Sequence, residues 1–113
     1  MLPHQHRLTS KNDFDQVFSK GKNIRGKFFN VIILSNGSSK KSRFGVIVSN
    51  KVSKSAVVRN MIKRAIRSFV QDQIAGFERG LDVVVVAKNS ASSQDKLALF
   101  EDLKSCFNLV SLV

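Results

Sequence analysis

Five polar side chains recur along one segment of the chain at a spacing that would let them bind phosphate together. Arg59, Lys63 and Arg67 are four residues apart, and Asn60 and Arg64 lie beside them. At about 100° per residue, an α-helix places these cations along one side. Like charges at this spacing destabilise a free helix by about 0.2–0.5 kcal/mol per pair. Since no acidic residue occurs between positions 54 and 70, the pattern favours a polyanion as the source of counter-charge.

The start of the same helix would extend this anion-binding side. Lys51 and Lys54 precede it, and Ser53 or Ser55 can cap its N-terminus, where backbone N–H groups also favour phosphate. A second stripe at helical spacing predicts the buried side, and it consists of Val58, Ile62, Ala65, Ile66 and Phe69. The plainer alternative is a solvated basic face that binds nothing specific.

The total charge favours binding over that alternative. The 113 residues include 19 Lys and Arg against 8 Asp and Glu, which gives a net charge of +11. Such an excess repels itself and favours polyanionic partners, because each neutralised phosphate releases condensed counterions. No zinc-finger spacing, leucine zipper or short recognition-helix pair indicates a DNA reader. A membrane partner is disfavoured because the apolar faces are needed for a core and the apolar runs fall short of the ~18–20 residues that span a bilayer.

The groups that a protein nuclease would need are not clustered in this sequence. Two-metal chemistry needs adjacent carboxylates, but the eight acids are scattered, and Asp13 and Asp15 diverge on a helix. General acid–base catalysis typically uses histidine, and both histidines, His4 and His6, fall in a non-periodic arm over residues 1–9. Cys106, the single cysteine, is expected to be a small buried thiol. We therefore predict no catalytic and no metal-binding residue.

Periodicity and turn residues predict one α+β domain over residues 1–113, with helices packed on a sheet. The predicted elements are a helix between Ser10 and Gly21, a possible short strand near 22–27, strands Phe28–Leu34 and Arg43–Ser49, a helix from Ala56 to about Ile74, a strand Leu81–Ala87, and a helix from about Gln94 to Val110.

Four expectations about pairing, burial and capping follow from these elements. The strands Phe28–Leu34 and Arg43–Ser49 are expected to pair as an antiparallel hairpin. The nearly continuous apolar strand Leu81–Ala87 is expected to be covered on both faces and central in the sheet. Ser92 or Ser93 is expected to cap the last helix. The apolar stripe of that helix is expected to be Leu97, Phe100, Leu103, Phe107 and Val110.

The basic helix and its neighbours resemble the protein component of bacterial ribonuclease P. The signature is Arg59-Asn60-x-x-Lys63-Arg64-x-x-Arg67, entered through the sequence FGVIVS over positions 44–49 and followed by LDVVV over positions 81–85. The resemblance covers essentially the whole chain. Two positions depart from it, because Met61 and Asn50 stand where that family usually has a cation.

The resemblance implies a fold and a division of labour. It implies a mostly antiparallel central sheet with a left-handed β-α-β crossover, whereas such crossovers are right-handed in ~98% of proteins. In the resembled family the catalyst is an RNA that holds most of the Mg²⁺, and the protein binds this catalytic RNA and the 5′ leader of precursor tRNA in the cytoplasm. The residues that would contact the catalytic RNA are Arg59, Asn60, Lys63, Arg64, Arg67 and Lys54.

The residues implied for the leader lie near the N-terminus, and two of them have an alternative interpretation. They are Phe14, Phe18, Lys51, Ile32 and Arg7. Phe14 and Phe18, four residues apart on a short helix, are by default core residues, and only the resemblance favours a cleft in which bases stack. At Ile32 relatives often have an aromatic residue, so stacking there would be lost. The rival function is a ribosomal or double-stranded-RNA-binding protein without a catalytic role.

Overall fold

The computed structural model describes residues 8, 10–35, 42–73 and 80–110. The elements, in chain order, are α1 (Lys11–Lys20), β1 (Lys22–Arg25), β2 (Phe29–Ser35), β3 (Arg43–Ile47), α2 (Ala56–Gln73), β4 (Leu81–Ala87), a short 3-10 helix (Asn89–Ser93) and α3 (Lys96–Val110). The optional short strand of the prediction is therefore present as β1. The architecture is the predicted α+β domain.

The four strands form one mixed sheet in the order β1-β2-β4-β3. The β1–β2 and β2–β4 pairs are antiparallel, and the β3–β4 pair is parallel. The predicted hairpin between β2 and β3 is therefore wrong, because β4 lies between them. Val83, Val84 and Val85 are fully buried, so β4 needs cover on both faces and takes the interior position that its composition predicted. The hand of the β3-α2-β4 crossover remains a prediction from the resemblance.

The main core lies between one face of the sheet and the helices α2 and α3. On α2 the buried residues are Ile62, Ala65, Ile66, Phe69 and Val70, and Val58 packs against them half-buried. This confirms the predicted stripe. The ring of Phe69 meets that of Phe107 edge-on, with 5.2 Å between the centroids. Aromatic contacts therefore join the two helices above the sheet.

The prediction for α3 is wrong at two points. Asp95 rather than a serine caps the helix, because its Oδ1 accepts a hydrogen bond from the Ala98 N–H at 2.8 Å. Ser92 and Ser93 belong to the preceding 3-10 helix. The buried stripe also differs from the predicted one, because Leu99, one turn before Leu103, is buried and Leu97 is exposed. Leu103 and Phe107 are buried and Phe100 packs half-buried, as expected; the side chain of Val110 lies outside the described residues.

The other face of the sheet is covered only in part, by α1. A second, smaller cluster there contains Leu8, Val17, Ile32 and Val84. The backbone N–H of Leu8 donates to the Phe44 carbonyl at 2.8 Å, which anchors the end of the predicted arm beside β3. Ser10 is the N-cap residue of α1 as predicted, but its hydroxyl makes no capping bond within the described residues.

A buried carboxylate fixes the turn between β1 and β2. Asp102 of α3 accepts hydrogen bonds from the backbone N–H groups of Lys27 at 2.9 Å, Phe28 at 2.9 Å and Phe29 at 3.2 Å. A β-carbon on Gly26 would lie 2.5 Å from the Cys106 sulfur, so the turn approaches α3 as closely as a glycine allows. Among the described residues, no helix is long and apolar enough to cross a membrane.

Candidate nucleic-acid interface

The basic side of α2 lies opposite its buried stripe, as the helical spacing predicted. Asn60, Arg64 and Arg67 are exposed, and Arg59 and Lys63 are half-buried at the edge of the helix. We call these five residues the α2 basic face. Its cations form no ion pair within the described residues, where the two ion pairs both belong to Arg43. The face therefore carries uncompensated positive charge that a polyanion could neutralise.

The approach to α2 is ordered by local hydrogen bonds. The Ser55 hydroxyl accepts a hydrogen bond from the Val58 N–H at 3.4 Å, so Ser55 occupies the predicted capping position. Arg59 Nη1 donates to the Ser53 carbonyl at 2.8 Å, which fixes the first cation against the loop. Lys51 and Lys54 are exposed in that loop, so both add charge at the N-terminal end of the helix.

The sheet face on the α1 side carries three rows of side chains that cross the strands. The lower row consists of Leu34, Asp82 and Arg43. The middle row consists of Ile32, Val84 and Gly45, with Asn23 at the β1 edge. The open row consists of Arg25, Asn30, Val86 and Ile47. The described residues of the middle row in β2, β4 and β3 are buried, whereas Arg25 is exposed and the rest of the open row is half-buried.

The helix α1 lies over the middle row and leaves the open row accessible. Val17 is fully buried against the sheet. On the helical wheel Asp13 projects to one side of Val17, and Phe14 and Phe18 project to the other. Because Asp13 pairs with Arg43 of the lower row, the two phenylalanines face the open row. We call the space between them and the open row the α1 cleft.

Phe14 and Phe18 have different environments within this cleft. A β-carbon on Gly45 would lie 2.5 Å from Phe14 Cε1, so the Phe14 ring rests directly on the backbone of β3. Phe14 is half-buried, and Phe18 is 48% exposed. Phe14 therefore packs on the sheet, as the core interpretation expects, whereas Phe18 has an accessible ring, and base stacking on it stays a prediction.

An ion-pair triad holds α1 on the sheet at the opposite side from the cleft. Arg43 Nε and Nη2 donate to the two carboxylate oxygens of Asp82 at 3.0 and 2.7 Å, and Nη1 donates to Asp13 Oδ2 at 3.0 Å. The hydrogen bond to Asp82 is the main cause that raises the pKa of Arg43 above its ordinary value. The fork of Arg43 thus links α1, β3 and β4, and fixes the position of α1 beside the open row.

The other residues that the resemblance implied for the leader are dispersed. Lys51 is exposed in the loop after β3. Ile32 is only 7% exposed because it lies under α1 in the middle row, where a base could not reach it without moving the helix. Arg7 lies outside the described residues, as do His4 and His6.

Sequence reasoning did not identify the open row. Asn30 is the distinctive member, because its Oδ1 is buried without a hydrogen-bond partner among the described residues. A buried amide oxygen without a partner is costly, and a ligand in the α1 cleft could satisfy it. Asn30 follows the period-two alternation of Ile32 and Leu34, which was visible in the sequence. The sequence does not show that Arg25, Val86 and Ile47 lie beside Asn30, because this depends on the register between the strands.

Nothing in the described part of the chain resembles a metal or nucleophile site. No three His, Cys, Asp or Glu side chains there come close enough to hold a metal ion. Cys106 is buried, and burial with the nearby Asp102 raises the pKa of its thiol to about 11. Its ordinary thiol value is 9.0, so Cys106 is a protonated core residue at neutral pH, as expected.

Comparison with known proteins relates the chain to one family. The family model described as Ribonuclease P matches residues 2–110. A ribonuclease P protein component from Pseudanabaena sp. is 38% identical over 105 residues, which cover 93% of this chain and 90% of the relative. The ribonuclease P protein component of Streptococcus agalactiae is 35% identical over 108 residues, with 96% of each chain covered.

Solved structures agree with the sequence matches. The RNase P protein of Staphylococcus aureus superposes with a TM-score of 0.84 at 27% identity, covering 93% of this chain and 94% of that one. The RNase P protein of Thermotoga maritima gives 0.78 at 29% identity, covering 95% and 96%. These matches give no support to a ribosomal or double-stranded-RNA-binding protein. The chain therefore belongs to the ribonuclease P protein family, whose members are the protein subunits of the tRNA-processing ribonuclease and partners of its RNA.

Proposed function

We propose that two separate surfaces of this subunit bind two RNAs. The α2 basic face, with Lys54, binds the catalytic RNA, and the α1 cleft, together with Lys51 in the loop after β3, binds the 5′ leader of precursor tRNA. The observation that carries the first assignment is a row of cations without ion-pair partners among the described residues. The second assignment rests on an exposed phenylalanine beside a half-buried, partly polar row of the sheet.

The chemistry of the α1 cleft suits a single strand better than a duplex. An exposed ring offers a stacking surface to any unpaired base. Asn30 can accept or donate a hydrogen bond at a base edge, and Arg25 is exposed at the end of the same row, where it can meet a phosphate. The cleft therefore combines one stacking group, one amide and one cation within a single row of the sheet.

Removing cations from α2 tests the first surface. Lys63→Ala and Arg64→Ala should each weaken binding to a bacterial ribonuclease P RNA while leaving the melting temperature unchanged, because neither side chain belongs to the buried stripe. Each lost phosphate contact should also lower the slope of log K against log salt by roughly 0.7–0.9. Lys104→Ala, which removes an exposed cation from α3, is the matched control. Unchanged affinity and slope in both variants would refute the assignment.

Phe18→Ala tests the cleft separately from the α2 basic face. The variant should bind the catalytic RNA normally and lose affinity for precursor tRNA with a leader, because one aromatic–base stack contributes about 1–3 kcal/mol. Affinity for leaderless tRNA should not change. Leu97→Ala, which truncates another exposed apolar side chain on α3, should alter none of these values. Equal losses of affinity for all RNAs together with a lower melting temperature would show that Phe18 stabilises the fold and does not bind the leader.

We further propose that the Mg²⁺ used in cleavage is held mainly by the RNA, in the cytoplasm where precursor tRNA is processed. The carboxylates of Asp13 and Asp82 bind Arg43, that of Asp102 binds backbone N–H groups, and no three His, Cys, Asp or Glu side chains of the described residues come close enough to hold a metal ion. Reconstitution tests the whole function. The protein added to a bacterial ribonuclease P RNA at low Mg²⁺ should restore cleavage of precursor tRNA. Cleavage without added RNA, or no restoration with it, would contradict the proposal.

A further inference from the structure

A groove between α2 and the start of α3 shares only Arg64 with the two proposed surfaces. It encloses about 260 Å³ and is lined by Met61, Arg64, Ala65, Ser68, Lys96 and Leu99. Its floor is apolar, because Ala65 and Leu99 are buried core residues. Two cations, Arg64 and Lys96, and one hydroxyl, that of Ser68, stand at its rim. We call this feature the α2–α3 groove.

One exposed apolar side chain lines the groove. The described residues include four large hydrophobic side chains that are exposed, and Met61 is one of them. Val57, one turn earlier on α2, and Leu97 of α3 are also exposed but do not line the groove. An exposed methionine beside an apolar floor indicates a surface that becomes covered.

Charge and continuity indicate what covers it. Arg64 belongs both to the α2 basic face and to the groove, so an RNA that follows the basic face reaches the groove without leaving the protein. Neither Arg64 nor Lys96 forms an ion pair within the described residues. A second copy of the chain would bring another +11 charges to a rim that is already cationic, which opposes self-association.

We propose that the α2–α3 groove takes one unpaired nucleotide of the catalytic RNA, with its base against Met61 and its phosphate between Arg64 and Lys96. This inference rests on the proposed function, since it extends the RNA contact of α2 by one site. The polarisable thioether of Met61 packs well on an aromatic face. The Ser68 hydroxyl can donate to or accept from the edge of the base.

The salt dependence of binding separates this contact from the phosphate contacts. Met61→Ala should weaken binding to a bacterial ribonuclease P RNA by about five- to tenfold, the upper part of the range for a thioether against an aromatic ring. The slope of log K against log salt should stay at its wild-type value, because no counterion release is lost. Arg64→Ala should lower both affinity and slope. Val57→Ala, an equally apolar truncation one turn away, is the matched control and should change neither.

Filling the groove provides a second test that adds no charge. Ser68→Leu places a larger side chain in the groove and should weaken RNA binding at least as much as Met61→Ala. Ser105→Leu makes the same change at an exposed position of α3 outside the groove and should have no effect. Both variants should melt like the wild type, because the two serines are exposed.

The nucleotide can be located and then removed. An iron chelate attached to Ser68→Cys should cleave the bound RNA around one unpaired nucleotide; the reagent will select the introduced thiol because Cys106 is buried. Replacing that nucleotide by an abasic one should reproduce the loss caused by Met61→Ala, and combining the two changes should cause no further loss.

The outcomes distinguish failure of this inference from failure of the proposed function. If Met61→Ala and Ser68→Leu bind RNA like the wild type while Arg64→Ala binds weakly, the groove holds no nucleotide and the α2 basic face stands. If Arg64→Ala also binds RNA normally, the proposed function of the α2 basic face is refuted, and the groove inference that rests on it is refuted as well. If sedimentation without RNA shows a dimer that Ser68→Leu dissociates, the occupant is a second copy and the inference is overturned.

Discussion

Replacing Asp102 by Asn measures how strongly α3 holds the turn that leads into β2. The Oδ2 atom accepts from the N–H groups of Phe28 and Phe29, and Oδ1 accepts from that of Lys27. In the Asp102→Asn variant the amide oxygen can still accept from Phe28 and Phe29, but the N–H₂ group faces the third donor, the N–H of Lys27, and cannot accept from it. One charge-assisted bond is lost, at about 1.5–3 kcal/mol, and two become neutral bonds of about 1 kcal/mol each. Since water can partly replace the lost bond, we expect the free energy of unfolding to fall by about 2–4 kcal/mol.

Urea denaturation of Asp102→Asn beside Glu101→Gln tests this value. Glu101 is the adjacent acid and is exposed, so its variant makes the same charge change without the three donors and should alter stability by less than about 0.5 kcal/mol. Amide hydrogen exchange at Lys27, Phe28 and Phe29 should accelerate only in the Asp102 variant. Equal stabilities for the two variants would refute the conclusion that this carboxylate fixes the turn.

Three further predictions concern the core, the cleft and the thiol. Ile66→Ala should lower the free energy of unfolding by about 2–5 kcal/mol, because Ile66 is fully buried; a normal melting temperature would show that α2 is rotated differently. Gly45→Ala should displace the Phe14 ring, whose Cε1 lies 2.5 Å from the added β-carbon, and so weaken leader binding more than catalytic-RNA binding; equal effects on both RNAs would contradict this. Cys106, with a pKa raised from 9.0 to about 11, should react slowly with iodoacetamide at pH 8 until the protein is denatured, and the folded protein should gain reactivity only as the pH approaches 11. Rapid alkylation of the folded protein at pH 8 would contradict the burial of the thiol.

The parts of the fold that depend on one segment alone could be predicted from the sequence. The buried stripe of α2 and its basic side follow from helical spacing, and both lie where that spacing places them. The interior position of β4 follows from its four consecutive valines. A leader-binding role for Phe18 is predicted by the resemblance and not by the spacing, because a phenylalanine on a short amphipathic helix is more often a core residue.

The parts that depend on contacts between distant segments could not be predicted in this way. The sequence predicts that β2 pairs with β3, the next strand along the chain. In the structure β4 lies between them, because its buried valines need cover on both faces. The members of the open row can be identified only when the register of all four strands is known. A binding role for Asn30 could therefore not be inferred from the sequence, in which Val86 and Ile47 are far away. The predicted cap of α3 is wrong because two serines and Asp95 all lie within four positions and all can cap a helix, and the 3-10 helix that takes up both serines is not visible in the sequence pattern.

The place of β4 in the sheet has a consequence for synthesis of the chain. β2 and β3 are made early, but they share no ladder, and the strand that joins them begins at Leu81. Until that strand leaves the ribosome, the edges of β2 and β3 that pair with it have no partner, and the buried stripe of α2 lacks most of the surface on which it packs. The basic side of α2 is complete by Gln73. A nascent chain thus carries the whole α2 basic face before β4 is available to complete the sheet.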